Sequence, residues 1–370
     1  MAGELGTEPE AVEFAAELAR VYMMNLDGAR SLEWAERALA EAEEQGLVTT
    51  VAEGLATKGG ALTMAGRPRE GTALLWGAVR LAREQGFHRQ ELRAINNLTV
   101  QLFESRPAEA FEVAGEGIEA ARRVGMRDQE LQLSGLACVT ALSTGRWPWV
   151  RSTVDELWSP EMAGDSGNTF SAVKTLLAAY TGQVDEAERS LDHLHALTSA
   201  ASNPQMRVGD HWIGSVIDLT RGRLEQAFEQ GLLLIAGDPS TPAFNHLSAF
   251  WPAAWLRDPQ KVGELISSLR SVGVSGDYGS AVLDLMAATR AMLEGRTDEG
   301  DRAFGGVWNA WRGLGCVFEL AMSELTFVTL ASSDDPAAGP AADEAREIFE
   351  RLGARPFLER LEAARSALPA

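Results

Sequence analysis

The sequence predicts an all-α protein, a right-handed solenoid of about nine antiparallel helix hairpins running through residues 1–370 as one domain. Three observations predict it. Glycines that stop helices recur along the chain, tight turns recur midway between them, and Gly or Ala stands five positions after every turn but one, where Val150 is the exception.

The stops come first. Glu44-Gln45-Gly46-Leu47 returns as Glu84-Gln85-Gly86-Phe87 and as Arg123-Val124-Gly125-Met126. Related endings stand at Ser271-Val272-Gly273-Val274 and Arg351-Leu352-Gly353-Ala354. Glycine then an apolar residue, after a long amphipathic run, marks a helix C-terminus: the glycine turns left-handed and the next side chain folds back on the last turn. Midway between stops lie Gly66-Arg67-Pro68, Ser105-Arg106-Pro107, Gly145-Arg146-Trp147-Pro148, Gly182-Gln183, Gly222-Arg223, Asp258-Pro259 and Gly295-Arg296. Proline suits the first turn of the following helix, where its missing N–H has no partner to lose. The turns begin at 66, 105, 145, 182, 222, 258 and 295, so they are 39, 40, 37, 40, 36 and 37 residues apart. Five residues after each stand Gly71, Ala110, Val150, Ala187, Ala227, Gly263 and Gly300. Small side chains there let the two helices of a hairpin approach closely. Ser31 and Ala345 extend the series to both ends, and looser loops are expected near 159–169, 237–243, 272–280 and 333–341. No run of alternating β-branched residues suggests a sheet.

Composition narrows the partners. Hydrophobic residues at 45% and charged residues at 23% are ordinary for a folded domain. A net charge of −20 argues against nucleic acid and against anionic membranes, both of which need clustered cations. Cys138 and Cys316 are far apart, each inside an apolar helical stretch, which suggests no disulfide and a reducing compartment. The acidic start, Met1 to Glu10, lacks the pattern of a signal peptide. The expected location is cytoplasmic.

A Gly-centred turn with Glu-Ala at its fourth and fifth positions, as in Gly182-Gln183-Val184-Asp185-Glu186-Ala187, resembles the tetratricopeptide repeat. Gly222-Arg223-Leu224-Glu225-Gln226-Ala227 carries the same likeness, although the repeat here is nearer 39 residues than 34. The stretch from Glu344 through Leu352-Gly353-Ala354-Arg355-Pro356 to Arg360 is similar to the closing segment of helical-repeat arms in large bacterial signalling proteins. In those, a P-loop ATPase core precedes the repeats and a nucleotide cyclase or helix-turn-helix domain lies at one end. The resemblance implies a sensor or regulatory arm; neither companion domain has a motif in this sequence.

Several tempting motifs are read as structural. Gly164-Asp165-Ser166-Gly167 spells the nucleophile segment of a trypsin-like protease, but that chemistry needs a β-barrel with a converging histidine and aspartate. It is expected to be a polar loop between repeats. His193 and His195 fall on different helix faces and cannot share a metal. Gly115-Glu116-Gly117-Ile118-Glu119-Ala120 mimics a dinucleotide loop from inside a helix. No catalytic, cofactor or metal residue is therefore assigned.

The candidate binding residues are Arg93, Asn96, His211 and Trp212. Asn96 stands nine residues before the turn at Ser105, where repeats of this kind point a side chain into the concave groove, and Arg93 shares its face. The corresponding helix before Gly222 offers His211 and Trp212. The reading is a non-catalytic scaffold whose partner is a protein or peptide segment, possibly another domain of its own assembly. The alternatives are a sensor for a small effector such as a sugar and, less favoured, an α/α-toroid glycosidase.

Overall fold

The computed structural model describes residues 8–159, 162, 164–199, 204–238, 241–274, 276–332 and 335–367. These form helices throughout, and no strand occurs among them. The first seven helices are α1 (Pro9–Met24), α2 (Gly28–Glu44), α3 (Val48–Met64), α4 (Pro68–Gln85), α5 (His88–Phe103), α6 (Pro107–Val124) and α7 (Arg127–Ser143). Then come α8 (Trp147–Leu157), α9 (Gly164–Tyr180), α10 (Val184–Ser199), α11 (Pro204–Thr220), α12 (Leu224–Gly237) and α13 (Pro242–Trp255). The chain ends with α14 (Pro259–Val272), α15 (Asp277–Leu293), α16 (Thr297–Leu314), α17 (Val317–Leu330), α18 (Ala338–Leu352) and α19 (Arg355–Ala367). No helix among the described residues is long and apolar enough to cross a membrane.

All seven turns expected from the sequence separate consecutive helices, from 65–67 between α3 and α4 to 294–296 between α15 and α16. Gly86 shows how a stop works. Its φ of 71° is left-handed, and the Phe87 N–H donates back to the Ala82 carbonyl at 2.9 Å, closing the end of α4. A clip repeats across two of these stops: Arg83 Nε lies 2.7 Å from buried Glu91, and Arg122 Nε lies 2.7 Å from buried Glu130. The small-residue positions are buried as well. A Cβ on Gly71 would lie 2.5 Å from the Gly59 carbonyl oxygen, a backbone atom that cannot step aside.

The loops are shorter than expected. Gly164-Asp165-Ser166-Gly167 is the first turn of α9 and not a loop. Likewise α13 begins at Pro242, α15 at Asp277 and α18 at Ala338, inside the stretches read as loops. Residues 160–161, 163, 239–240, 275 and 333–334 of those stretches lie outside the described residues.

The chain divides into two compact units. Among the described residues, unit 1 comprises 8–103, 109–137 and 204–205, and unit 2 comprises 104–108, those of 138–199 and those of 206–367. In unit 1 each helix from α1 to α5 packs on the next, and the odd-numbered helices also pack on one another, α1 on α3 and α3 on α5. Its core is rich in small side chains: Ala38, Ala42, Ala52, Ala56 and Ala61 are buried around Leu62, Leu75 and Leu92. Alanine and glycine at these crossings bring helix axes close, which compensates for the modest apolar area each contributes.

Unit 2 departs from the nearest-neighbour packing expected of a solenoid. Trp147 on α8 meets Phe318 on α17, and Tyr180 on α9 meets Phe318 and Phe357, so α17 and α19 lie against helices more than a hundred residues earlier. The cause is the composition of two helices. α17 is buried from Phe318 through Val328, and α13 from Asn245 through Trp255 except for the half-buried Ser248. A helix that is apolar all round must be surrounded by protein. Full burial of each aromatic ring contributes about 1.5–3 kcal/mol, and well-placed ring pairs add about 0.5–1.5.

Pro252 sits inside α13, where it removes the N–H that would bond to the Ser248 carbonyl. The Ser215 hydroxyl on α11 lies 3.1 Å from that carbonyl and supplies a donor. The turn at 104–108 also belongs to unit 2. The Glu104 carboxylate accepts from the Ala243 and Phe244 N–H groups, both at 2.9 Å, at the N-terminus of α13. Those amides would otherwise be unsatisfied inside the protein.

Candidate functional site

Two places in the molecule combine shape with unused polar chemistry, one in each unit. In unit 2 the returning helices α17 and α19 line a cavity of about 50 Å³ together with α7, α9, α11 and α13. Its wall is largely aromatic, with Tyr180 from α9, Trp212 from α11, Phe244 and Trp251 from α13, Phe318 from α17 and Phe357 from α19. Trp212 and Phe244 meet edge to face with centroids 5.0 Å apart. Ser143, Ser215 and Ser248 add polar atoms, and Glu319 is the one ionisable carboxylate among the lining residues.

Glu319 is 4% exposed, and its Oε2 has no hydrogen-bond partner. Burial pushes its carboxyl up to about 7, and hydroxyls of Ser143 and Tyr278 offset only part of that. No lysine or arginine lines the cavity. Arg360, a half-buried cation of the same seam, stacks on the Trp255 ring at 3.9 Å and is not among the lining residues.

In unit 1 the odd-numbered helices carry a polar row. On α1, Arg20 Nε pairs with Glu17 at 2.8 Å. Glu53 on α3 accepts from Gln90 of α5 at 2.9 Å, and Asn97 of α5 reaches the Ala56 carbonyl at 3.3 Å. Arg93 on α5 donates to the Thr57 hydroxyl. Desolvation lowers its pKa, partly offset by Glu53 and Glu17, with Arg20 adding to the lowering. Asn96 is half-buried, and its amide makes no hydrogen bond among the described residues.

The four residues singled out from sequence thus fall in two units: Arg93 and Asn96 in unit 1, His211 and Trp212 in unit 2. Arg93 is engaged by its neighbours, while Asn96 is not. His211 Nδ1 lies 2.8 Å from Gln230 Oε1 on α12, so it ties a hairpin together. Trp212 lines the aromatic cavity. The other histidines are likewise structural or superficial: His246 is held by the Pro242 carbonyl and the Ser268 hydroxyl, and His193 is exposed. Among the described residues no group of three or more His, Cys, Asp or Glu could hold a metal ion. The dinucleotide-like 115–120 stretch lies within α6.

Glu319 was missed by the sequence reading. A signal for it exists: Val317–Leu330 is apolar on all faces yet contains Glu319 and Glu324, and an acid in such a helix must be buried. No family model matches the chain, and no curated protein matches it.

Proposed function

We propose that the chain is a non-catalytic helical-repeat scaffold, similar to the regulatory arms of bacterial signalling proteins, and that the polar row of unit 1 takes an extended protein segment. The supporting observation is Asn96, a half-buried amide with its donors and acceptor unused, beside an engaged Arg93 on the inward helix α5. An asparagine so placed can pair with both the N–H and the C=O of a peptide backbone. The net charge of −20 steers basic segments toward the protein and repels acidic ones.

Anisotropy titrations with fluorescent pools of basic-apolar and acidic-apolar decapeptides test the proposal. The basic pool binds the wild type, and Asn96→Ala weakens it tenfold or more. Arg80→Ala, on the exposed face of α4, leaves it unchanged. Equal binding of both pools, or an equal loss in Arg80→Ala, overturns the reading.

The aromatic cavity of unit 2 favours a second reading, a sensor for a small effector. Its lining suits recognition better than glycoside hydrolysis, which uses a pair of carboxylates where this cavity offers Glu319.

A further inference from the structure

We infer that the cavity of unit 2 is a binding site for a small alkylammonium cation, held by the Glu319 carboxylate and the aromatic rings around it. The inference rests on the small-effector reading and names the ligand class.

Three observations carry it. A carboxylate with an unpartnered oxygen is almost wholly buried and belongs to the cavity wall. An isolated buried charge is costly unless paired, so this acid either takes up a proton or waits for a cation. The protein supplies no cation, since none of the lining residues is lysine or arginine. The wall itself is the chemistry that recognises ammonium groups: Tyr180, Trp212, Trp251 and Phe318 present π-systems, which attract cations most strongly where water is excluded.

Size sets the class. A dry cavity of 150 Å³ accepts benzene, so about 50 Å³ takes about two heavy atoms. Methylammonium fits as the site stands. A trimethylammonium group requires the half-buried Trp212 indole to move, and Trp212 is the aromatic wall residue on α11 with part of its ring still accessible.

The protonation balance follows directly. With its carboxyl pushed up to about 7, Glu319 is mostly neutral at pH 6 and mostly ionised at pH 8. The titratable groups facing it are Tyr180, Tyr278 and Cys316, all shifted upward by burial and so neutral across that interval. Binding the cation therefore releases one proton from Glu319 at pH 6 and almost none at pH 8, and affinity rises about tenfold between them.

Titration of the intact chain with methylammonium, choline and the neutral choline isostere 3,3-dimethylbutan-1-ol, followed by tryptophan fluorescence and calorimetry, is the test. Methylammonium binds saturably, about tenfold more tightly at pH 8 than at pH 6, and the neutral alcohol binds at least tenfold more weakly than choline. Glu319→Gln, which keeps the shape of the side chain, loses methylammonium binding while retaining its thermal transition. If that variant does not fold, the pH series on the wild type decides alone. Equal binding of choline and its neutral isostere, with no pH dependence, overturns the cation assignment and leaves the small-effector reading standing. Binding of none of the three likewise overturns the cation assignment.

Discussion

Units 1 and 2 are cut from the same punctuation and differ in what their inward helices carry. In unit 1 those helices alternate small apolar residues with Glu17, Arg20, Glu53, Arg93 and Asn96, so their inner side remains a polar row. In unit 2, α13 and α17 are mostly apolar and almost wholly buried, and the chain covers them with α19 and with rings from α8 and α9. Turn spacing therefore determines the hairpins, while the composition of the inward helix determines whether its face stays available or becomes core. The acids show the same contrast. Glu130 in unit 1 is buried beside Arg122 and Arg127, whereas Glu319 in unit 2 is buried among aromatic rings.

The largest expected effect breaks the closure of unit 2. Phe357 on α19 is 1% exposed and meets Tyr180, Trp255, Phe318 and Phe349. Phe357→Ala should cost about 3–5 kcal/mol, read from the urea midpoint of the unit 2 transition. A loss below about 1 kcal/mol would mean that α19 does not help to hold the unit together.

A smaller effect is read through pH, because the buried acids of the two units should respond with opposite sign. Burial pushes Glu104 up to about 7, so the folded state holds its proton more tightly than the unfolded chain, whose carboxyl titrates near 4.5. That stabilisation is complete below pH 4.5 and is lost as pH rises through 7, roughly 3 kcal/mol in all. In unit 1, desolvation would raise Glu130, but Arg122 and Arg127 hold it below the ordinary carboxylate value. Its contribution is present above the unfolded value and is lost as pH falls through the lowered one. Urea melts of wild type and Glu104→Gln between pH 5 and 8 should show a falling wild-type stability for unit 2 and a flatter one for the variant. Parallel pH profiles would contradict the burial assigned to Glu104.

Much of the helical pattern was legible because it depends on local chemistry. Gly86 and Gly353 stop helices through their own backbone freedom, and Asp258 caps α14 by accepting from the Gln260 and Lys261 N–H groups. Gly71 and Ala227 mark close crossings because a larger side chain has nowhere to go. What escaped the sequence depends on distant partners. Nothing near Tyr180 announces that Phe357 will meet it, and nothing near Glu104 says that it will cap α13. Trp212 was placed on the right helix, but its surroundings follow from Phe244 and Tyr180, which the repeat pattern does not specify. Arg93 proved to be engaged by Thr57, a partner on α3 that nothing beside it in the sequence announces.

α17 lies inside unit 2, surrounded by helices from both sides of it in the sequence. Amide hydrogen exchange resolved by helix tests it most directly. If α17 is enclosed, the amides from Phe318 through Val328 exchange only when unit 2 unfolds as a whole, with the same urea dependence as global unfolding. Exchange of α17 through local opening, with little urea dependence and at the rate of the exposed α10 surface, would contradict it.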